Sequence, residues 1–318
     1  MKMPRQGKKL NIPEPVVIEK RKELAEKIAA HTRTADEFPT AIPELTLFRR
    51  ANPTPCYKAT YEPSITVFVQ GRKRINLGGE EYLCDESSFL LSSIDVPVQS
   101  QIVGVSEAVP LLFLLLRLDM PMVREILSHD HVAMPNAAPH RRGLAVGETT
   151  TGLLSACIRL IELLDTPEDI LFLSHLFQRE IVYRILRTPQ AARLRAIATS
   201  GDISHRTARA IAWLRGNFAK PLRMEELARI ARMGVSTLHH QFRALTAMSP
   251  LQFQKQLRLQ TARERMLMDG LDATSAAYEV GYESVSQFNR EYSRFFGLPP
   301  MRDIKALKDS KVVPIGGA

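Results

Sequence analysis

A segment near the C-terminus occurs twice, fifty residues apart. The two copies are residues 234–250, GVSTLHHQFRALTAMSP, and residues 284–300, SVSQFNREYSRFFGLPP. Under this shift Phe242 aligns with Tyr292, and most apolar positions of one copy meet apolar positions of the other. Self-similarity at a fixed period indicates one supersecondary unit used twice, so the repeat limits the folds open to this part of the chain.

A short helix and a tight turn precede each copy. The same shift places Leu227, Ala228 and Ala231 over Ala277, Tyr278 and Gly281. The expected turns end at Gly234 in the first unit and run through Gly281 in the second. Helix, tight turn and second helix form a helix-turn-helix unit, so we expect two such units.

The ends of the second helices are marked in the sequence. Ser284 followed by Gln287 has the spacing of a capping box, which predicts a helix that starts near Val285. Gly297 and the prolines after it are expected to end that helix. The first copy has Gly234 where the second has Ser284, so its helix lacks a side-chain cap.

A helical projection separates an apolar face from a polar face in both second helices. The polar faces carry short hydroxyl, amide, imidazole and guanidinium groups, which suit contacts to base edges and phosphates in a major groove. From these faces we select as DNA-binding candidates Ser236, Thr237, His239, His240 and Arg243 in the first helix, and Ser286, Gln287, Asn289, Arg290 and Arg294 in the second.

The segment between the copies, residues 250–268, is predicted to be one helix of about 28 Å at 1.5 Å per residue. This length is close to the roughly 34 Å between successive major-groove faces, so both units could read one side of a duplex. Residues 205–306 carry sixteen Lys/Arg against nine Asp/Glu, which gives +7 of the chain's net +9. A polyanionic partner fits this charge, although a solvated face would also explain it.

The first 120 residues have a different pattern. An amphipathic helix is predicted over residues 16–31, and short strand-like runs separated by turn residues follow up to residue 118. Strands without intervening helices favour a small antiparallel barrel or sandwich, and the pattern becomes helical after residue 119. The expected fold class is α+β, an N-terminal cupin-like antiparallel β-barrel with flanking helices followed by an all-α domain of two helix-turn-helix units joined by a long helix.

The expected division of the chain has five parts. They are an N-terminal arm and helix (1–35), a cupin-like effector and dimerisation domain (36–120), a helical linker or dimerisation region (121–204), a double helix-turn-helix DNA-binding domain (205–306) and a flexible tail (307–318).

Residues 227–266 and 275–300 resemble the AraC/XylS-type transcription regulators. The motifs are LARIARMGVSTLHHQFRALTAMSPLQFQKQLRLQTARERM and SAAYEVGYESVSQFNREYSRFFGLPP, and residues 61–98 resemble the cupin-like N-terminal domain of one subfamily. The resemblance implies base contacts from positions matching Ser236, His239 and His240, and Ser286, Gln287 and Arg290. His240 stands where an Arg is common, and an imidazole reads a guanine edge less strongly than a bidentate guanidinium does.

The resemblance also implies the partners. These are double-stranded promoter DNA, a small-molecule effector, RNA polymerase and a second copy of the chain, with activation favoured over repression. Without a sufficiently long apolar run or an N-terminal leader pattern, we expect a cytoplasmic protein with no membrane segment.

The competing function is a small-molecule-binding or enzymatic cupin whose basic helical tail is incidental. Cupin enzymes need closely spaced His and carboxylate metal ligands, but no histidine occurs between His31 and His129. His129 and His131 lie outside the strands, and no nucleophile set or phosphate-binding loop is present. We therefore expect no enzyme activity, no metal and no cofactor. A third, weaker hypothesis is that the chain is a nonspecific architectural DNA-binding protein.

The N-terminal domain contains two cysteines, Cys56 and Cys84, and these are the candidates for an effector-sensing thiol. The simpler interpretation is that these thiols are buried or unreactive, since a reactive cysteine needs an exposed and electropositive setting.

Overall fold

The computed structural model describes residues 14–33, 36–129, 135, 137–138 and 142–310. The predicted arm before residue 14 and the end of the predicted tail, 311–318, lie outside these residues. Helix α1 (Pro15–His31) confirms the amphipathic helix predicted over residues 16–31. It buries Leu24 and Ile28, four residues apart, because this spacing puts both side chains on one helical face.

Within the residues that the structure describes, ten strands form two antiparallel sheets. In chain order, β1 to β10 are Glu37–Pro39, Leu45–Arg50, Tyr57–Tyr61, Ser64–Gln70, Arg72–Leu77, Glu80–Cys84, Ser88–Ser92, Val96–Val103, Leu111–Arg117 and Leu144–Glu148. One sheet has the order β1-β2-β9-β4-β7-β10 and the other β3-β8-β5-β6. No described strand pairs across the two sheets, so the expected barrel is an open two-sheet sandwich.

Strand β10 lies within residues 121–204, where the sequence pattern predicted helices. It pairs with β7 from Leu144 opposite Ser92 to Glu148 opposite Ser88. Five residues between two loops carry little periodicity, and the pairing comes from a strand more than fifty residues earlier. The strand therefore depends on tertiary contact, which local sequence does not reveal.

Within the described residues, four α-helices lie between β9 and residue 200. They are α2 (Met120–Leu127), α3 (Thr151–Glu162), α4 (Ile170–Leu186) and α5 (Ala192–Ala198). Helix α1 lies on the outer face of the six-stranded sheet, against β2, β4 and β9, and α3 packs on α1. This cover explains the apolar run of β9. Leu112, Leu114 and Leu116 belong to the core shared with the helices, whereas Phe113 faces the sandwich interior. A strand buried on both faces needs apolar residues at successive positions.

Residues beyond 200 are helical. The helices are α6 (Ile203–Gly216), α7 (Met224–Ala231), α8 (Val235–Thr246), α9 (Pro250–Met268), α10 (Ala273–Glu279), α11 (Val285–Phe296) and α12 (Pro300–Ser310). The two predicted helix-turn-helix units and the continuous helix between them are confirmed. Helix α12 extends four residues past the expected boundary at residue 306. None of the helices within the described ranges is long and apolar enough to cross a membrane.

The repeat is less regular than a single shift of fifty suggests. The second helices do align at fifty, with Val235 on Val285. The first helices align at forty-nine, since α7 starts at Met224 and α10 at Ala273. The predicted match of Ala231 with Gly281 is therefore wrong, and Ala231 corresponds to Val280. Between the helix ends the first turn has three residues (232–234) and the second has five (280–284).

The apolar core of the sandwich continues into the first helix-turn-helix unit. Phe48 and Phe113 belong to the same buried cluster as Leu238, Phe242 and Phe253. The second unit has a cluster of its own, centred on Phe288 and Tyr292. The two repeats therefore differ in what they are packed on.

Phe113 should be among the most sensitive core positions. It is buried and stacks on Phe48 with ring centroids 4.5 Å apart. We expect Phe113→Ala to lower the free energy of unfolding by about 3 to 5 kcal/mol, because the removed ring leaves a cavity between the sheets. Leu83→Ala, at an exposed position of β6, should change it by less than about 0.5 kcal/mol in the same urea titration. Equal losses would contradict this description of the core.

Candidate nucleic-acid interface

Helix α11 is held in a defined orientation by its buried face. Phe288 and Tyr292 are fully buried, and the Tyr292 hydroxyl donates to Asp303 Oδ2 at 2.7 Å. The same carboxylate accepts two hydrogen bonds from Arg263, at 2.7 and 2.8 Å. This fork-to-fork pair fixes α11 on α9 and α12, so the exposed side of α11 has one outward direction.

The predicted cap of α11 is half confirmed. Ser284 Oγ accepts from the Gln287 backbone N–H at 3.3 Å, and the helix ends at Gly297 with φ of 88°. The Gln287 side chain does not return to Ser284 but donates to Glu291 Oε1 at 3.2 Å. A complete capping box occurs instead at the start of α9, between Ser249 and Gln252.

Helix α8 is packed equally well but capped less well. Leu238, Phe242 and Leu245 are buried, and Phe242 meets Phe253 edge-on at 5.3 Å. As expected, Gly234 provides no side-chain cap. At the other end Ala247 takes the left-handed conformation, φ 66°, where the second unit has Gly297. This conformation costs a residue with a Cβ about 1 kcal/mol.

All ten predicted DNA-binding side chains are exposed, five on each of the two helices. They are Ser236, Thr237, His239, His240 and Arg243 on α8, and Ser286, Gln287, Asn289, Arg290 and Arg294 on α11. Within the described residues, the guanidinium groups of Arg243, Arg290 and Arg294 form no ion pair. Three cations are thus available to an external anion.

Glu291 lies at the edge of the α11 face, and helical spacing alone does not indicate its role there. Its carboxylate accepts hydrogen bonds from Lys255 Nζ and the Tyr282 hydroxyl, both at 2.9 Å, and from Gln287. Partial burial favours the protonated form, but these donors outweigh it and hold the pKa of Glu291 below its usual value. Its negative charge is thus offset beside the polar face, and the Gln287 amide is oriented in advance.

Arg258 in α9 joins the two units. Its Nε donates to the Phe218 carbonyl at 2.8 Å and its Nη1 to the Gly281 carbonyl at 2.7 Å. Its Nη2 donates to the carbonyls of Ala219 and Lys220, at 3.1 and 3.0 Å. One planar guanidinium thus ties the loop before α7 to the turn before α11. No local pattern in the sequence indicates this role, since an arginine on an amphipathic helix normally indicates a solvated face.

Gly281 is required at this junction for two reasons. Its φ is 88°, and a Cβ added there would overlap the Ala219 carbonyl oxygen. The loop of the first unit therefore lies directly against the backbone of the second turn. Gly297 has the same φ of 88° but open space around it.

The other candidate residues show no comparable arrangement. His129 contacts Arg179 at 3.2 Å, while its predicted companion His131 lies outside the described residues. Across the part of the chain that the structure describes, no three metal-ligating side chains come together. Cys56 is exposed, but Cys84 is buried, and burial raises the pKa of the Cys84 thiol to about 12. A buried, protonated thiol is a poor sensor, so only Cys56 keeps the accessibility that this role needs.

Comparison with known families agrees with this geometry. Residues 41–193 match a family model described as the AraC-type transcriptional regulator N-terminus, and residues 227–305 match one described as a helix-turn-helix domain. The chain belongs to the AraC/XylS-type transcription regulators. In this AraC-type regulator the first family model covers strands β2 to β10 and helices α2 to α4. The second covers both helix-turn-helix units from the middle of α7 onward.

Curated relatives of this AraC-type regulator include two RhaS proteins, each named an HTH-type transcriptional activator. The protein from Klebsiella pneumoniae (strain 342) is 29% identical over 133 residues, 42% of this chain and 47% of the relative. The Escherichia coli (strain SE11) protein is 29% identical over 99 residues, 31% of this chain and 35% of the relative. The chain thus spans less than half the length of these relatives.

A solved structure has the same fold over most of the AraC-type chain. It is ToxT from Vibrio cholerae strain SCE256 in complex with an unsaturated fatty acid, with a TM-score of 0.53 and 12% identity. The match covers 82% of this chain and 93% of ToxT. This likeness extends through both halves of the molecule and concerns the fold alone.

The junction at Gly281 allows a matched test. We expect Gly281→Ala to destabilise the protein by about 3 kcal/mol or more, because the strained φ and the overlap with Ala219 must both be relieved. Gly297→Ala should cost only about 1 kcal/mol, since it adds the φ strain alone. Thermal unfolding of the full chain measures both. If the two variants unfold at the same temperature, the close contact at Gly281 does not exist.

Proposed function

We propose that the chain is a sequence-specific DNA-binding transcription regulator that reads two adjacent major-groove segments with α8 and α11. The observation that carries this proposal is the pair of exposed polar faces at equivalent positions of two helix-turn-helix units. Each face is backed by a buried apolar face and therefore has a fixed direction. Residues 205–306 form the DNA-reading half in this proposal, and residues 36–204 the regulatory half.

The spacing of the two faces supports a bipartite site. Helix α9, nineteen residues from Pro250 to Met268, is about 28 Å long at 1.5 Å per residue. The distance between successive major-groove faces is roughly 34 Å, so the two helices can enter one side of a duplex with modest bending. The Arg258 junction holds this arrangement before DNA arrives, which lowers the entropy cost of binding.

The two faces are expected to contribute unequally. Arg290 offers a bidentate fork for a guanine edge, and Gln287 is already oriented by Glu291. The first face has His240 at the corresponding place, whose imidazole has fewer donors. We propose that the second half-site is read more stringently than the first, with Ser236 and Ser286 as matching short polar contacts.

Regulation by a small effector is the proposed input. ToxT, which shares the fold, binds an unsaturated fatty acid. In this chain the described residues leave a cavity of about 560 Å³ beside Glu62, bordered by Arg117, Met120 and His175. We propose a role as a cytoplasmic activator that contacts RNA polymerase, because the RhaS relatives are named activators. Cys56 remains the candidate for thiol sensing.

Substitutions of two arginines can distinguish a contact to a base from a general effect of positive charge on DNA binding. On a duplex selected from random DNA by the wild-type protein, we expect Arg290→Ala to weaken binding by about 1 to 3 kcal/mol and to relax discrimination at one base pair. Arg302→Ala removes the same charge from the exposed side of α12 and should leave base preference unchanged. Gel-shift titrations against a set of single-base variants measure both. An equal loss on every sequence would rule out base reading by Arg290.

We propose that the chain forms a homodimer through α4. Leu171 and Phe172 near its start are 94% and 77% exposed, although both are large and apolar. Further along the same helix, Leu176, Glu180 and Tyr183 border a cavity of about 350 Å³. An antiparallel α4 pair around a two-fold axis would place Phe172 of each copy opposite the cavity of the other, which is the self-complementary arrangement that a symmetric dimer needs.

The dimer proposal can be tested by placing a negative charge at the exposed Phe172 of α4. We expect Phe172→Asp to raise the dimer dissociation constant by about a hundredfold or more, because an anchor residue of the interface is lost and a charge is buried. Leu83→Asp, at an exposed leucine of β6, serves as the control and should leave the dimer intact. Sedimentation velocity over a concentration series gives the constants. A wild-type protein that stays monomeric at every concentration would refute the proposal.

A further inference from the structure

Both reading helices end against the N-terminal sandwich. The last carbonyl groups of a helix have no partner within the helix, and they form the negative end of its dipole. In α8 and α11 donors from the sandwich bind some of these carbonyls. The contacts are made to backbone carbonyls, and the ten candidate side chains of the polar faces stay exposed.

The end of α8 is bound by the segment that leads into β10. Arg142 Nη1 donates to the carbonyls of Arg243 and Ala244, at 2.9 and 3.0 Å. The neighbouring Gly143 N–H donates to the Leu245 carbonyl at 3.1 Å. Arg142 is itself close to a carboxylate of the sandwich, with its Nε 3.6 Å from Glu80. Three successive carbonyls of α8 are thus held from outside.

The end of α11 is bound by β3. Lys58 Nζ donates to the Phe295 carbonyl at 2.6 Å and lies 3.7 Å from the centre of the Phe295 ring. Under the fifty-residue shift Phe295 corresponds to Leu245. The equivalent carbonyl of each reading helix is therefore satisfied by the sandwich, although the two donors are unrelated in sequence. Such a cation at a helix C-terminus is stabilising.

The two side-chain donors are attached to different sheets. Lys58 is in β3 of the four-stranded sheet, and Arg142 lies two residues before β10 of the six-stranded sheet. A change in how the sheets pack on each other therefore moves the end of one reading helix relative to the other. Helix α6, which precedes the two helix-turn-helix units, is also attached to the sandwich. Its Arg215 forms ion pairs with Glu62 and Asp95.

We infer that Lys58 and Arg142 are positioning residues, through which the sandwich sets the separation of the two reading helices and hence the half-site spacing that the chain accepts. This inference rests on the proposed function for its effect on DNA. Its structural part, the separation of the helices, holds for the free protein. An effector that shifts one sheet on the other would act on DNA binding along this route.

The structural part is tested without DNA. Spin labels at Ser236→Cys and Ser286→Cys, in full-length protein with Cys56→Ser, report the distance between equivalent positions of the two helices. Cys84 and Cys157 are buried and should not be labelled. We expect one narrow distance distribution, and a clearly broader one after Lys58→Met and Arg142→Met are added. Lys58→Arg should keep the narrow distribution, and so should Lys22→Met on α1, which removes an exposed positive charge away from both reading helices. An unchanged distribution in the double variant overturns the inference.

The effect on DNA is tested with the selected duplex and versions that carry one or two extra base pairs between the half-sites. We expect one inserted base pair to weaken wild-type binding about tenfold or more, and binding by the double variant about threefold or less. Equal penalties for both proteins overturn the inference while leaving the proposed function intact. If the wild-type protein selects no sequence at all, the proposed function fails, and the distance measurement alone decides the positioning role.

Discussion

The arrangement of the reading half depends on one guanidinium. Arg258 donates to carbonyls from the loop before α7 and from the turn before α11. Its planar fork can satisfy them together because they converge on one side of α9, and they converge because Gly281 lets the two backbones approach. This contact fixes how the loop before α7 meets the turn before α11.

The repeat, the caps and the long helix could be predicted from the sequence because each is encoded locally. Apolar spacing defined the faces of α8 and α11, and Ser284 and Gly297 marked the ends of α11. All ten selected side chains proved to be exposed for the same reason. The error of one residue in the first helices arose because a turn can lengthen without altering the helices on either side.

Features that depend on distant partners could not be predicted in this way. Strand β10 forms only beside β7, and Arg258 resembles any solvated arginine until the loops around it are placed. The contacts of Lys58 and Arg142 could not be predicted either, since their acceptors lie more than a hundred residues away in the sequence. Cys84 is a candidate sensor only because it lies in the N-terminal domain, and the fold shows that its thiol is buried in the core.

Because the apolar core is divided, the two helix-turn-helix units differ in how independently they can unfold and change in sequence. The first shares its interior with the sandwich, so its opening would also expose sandwich residues, whereas the second has a cluster of its own. The second unit can therefore open at a lower free energy, as a separate cooperative segment. Its reading helix can therefore change without disturbing the sandwich core, as long as the new sequence keeps the packing on α9 and α12 and the Lys58 contact.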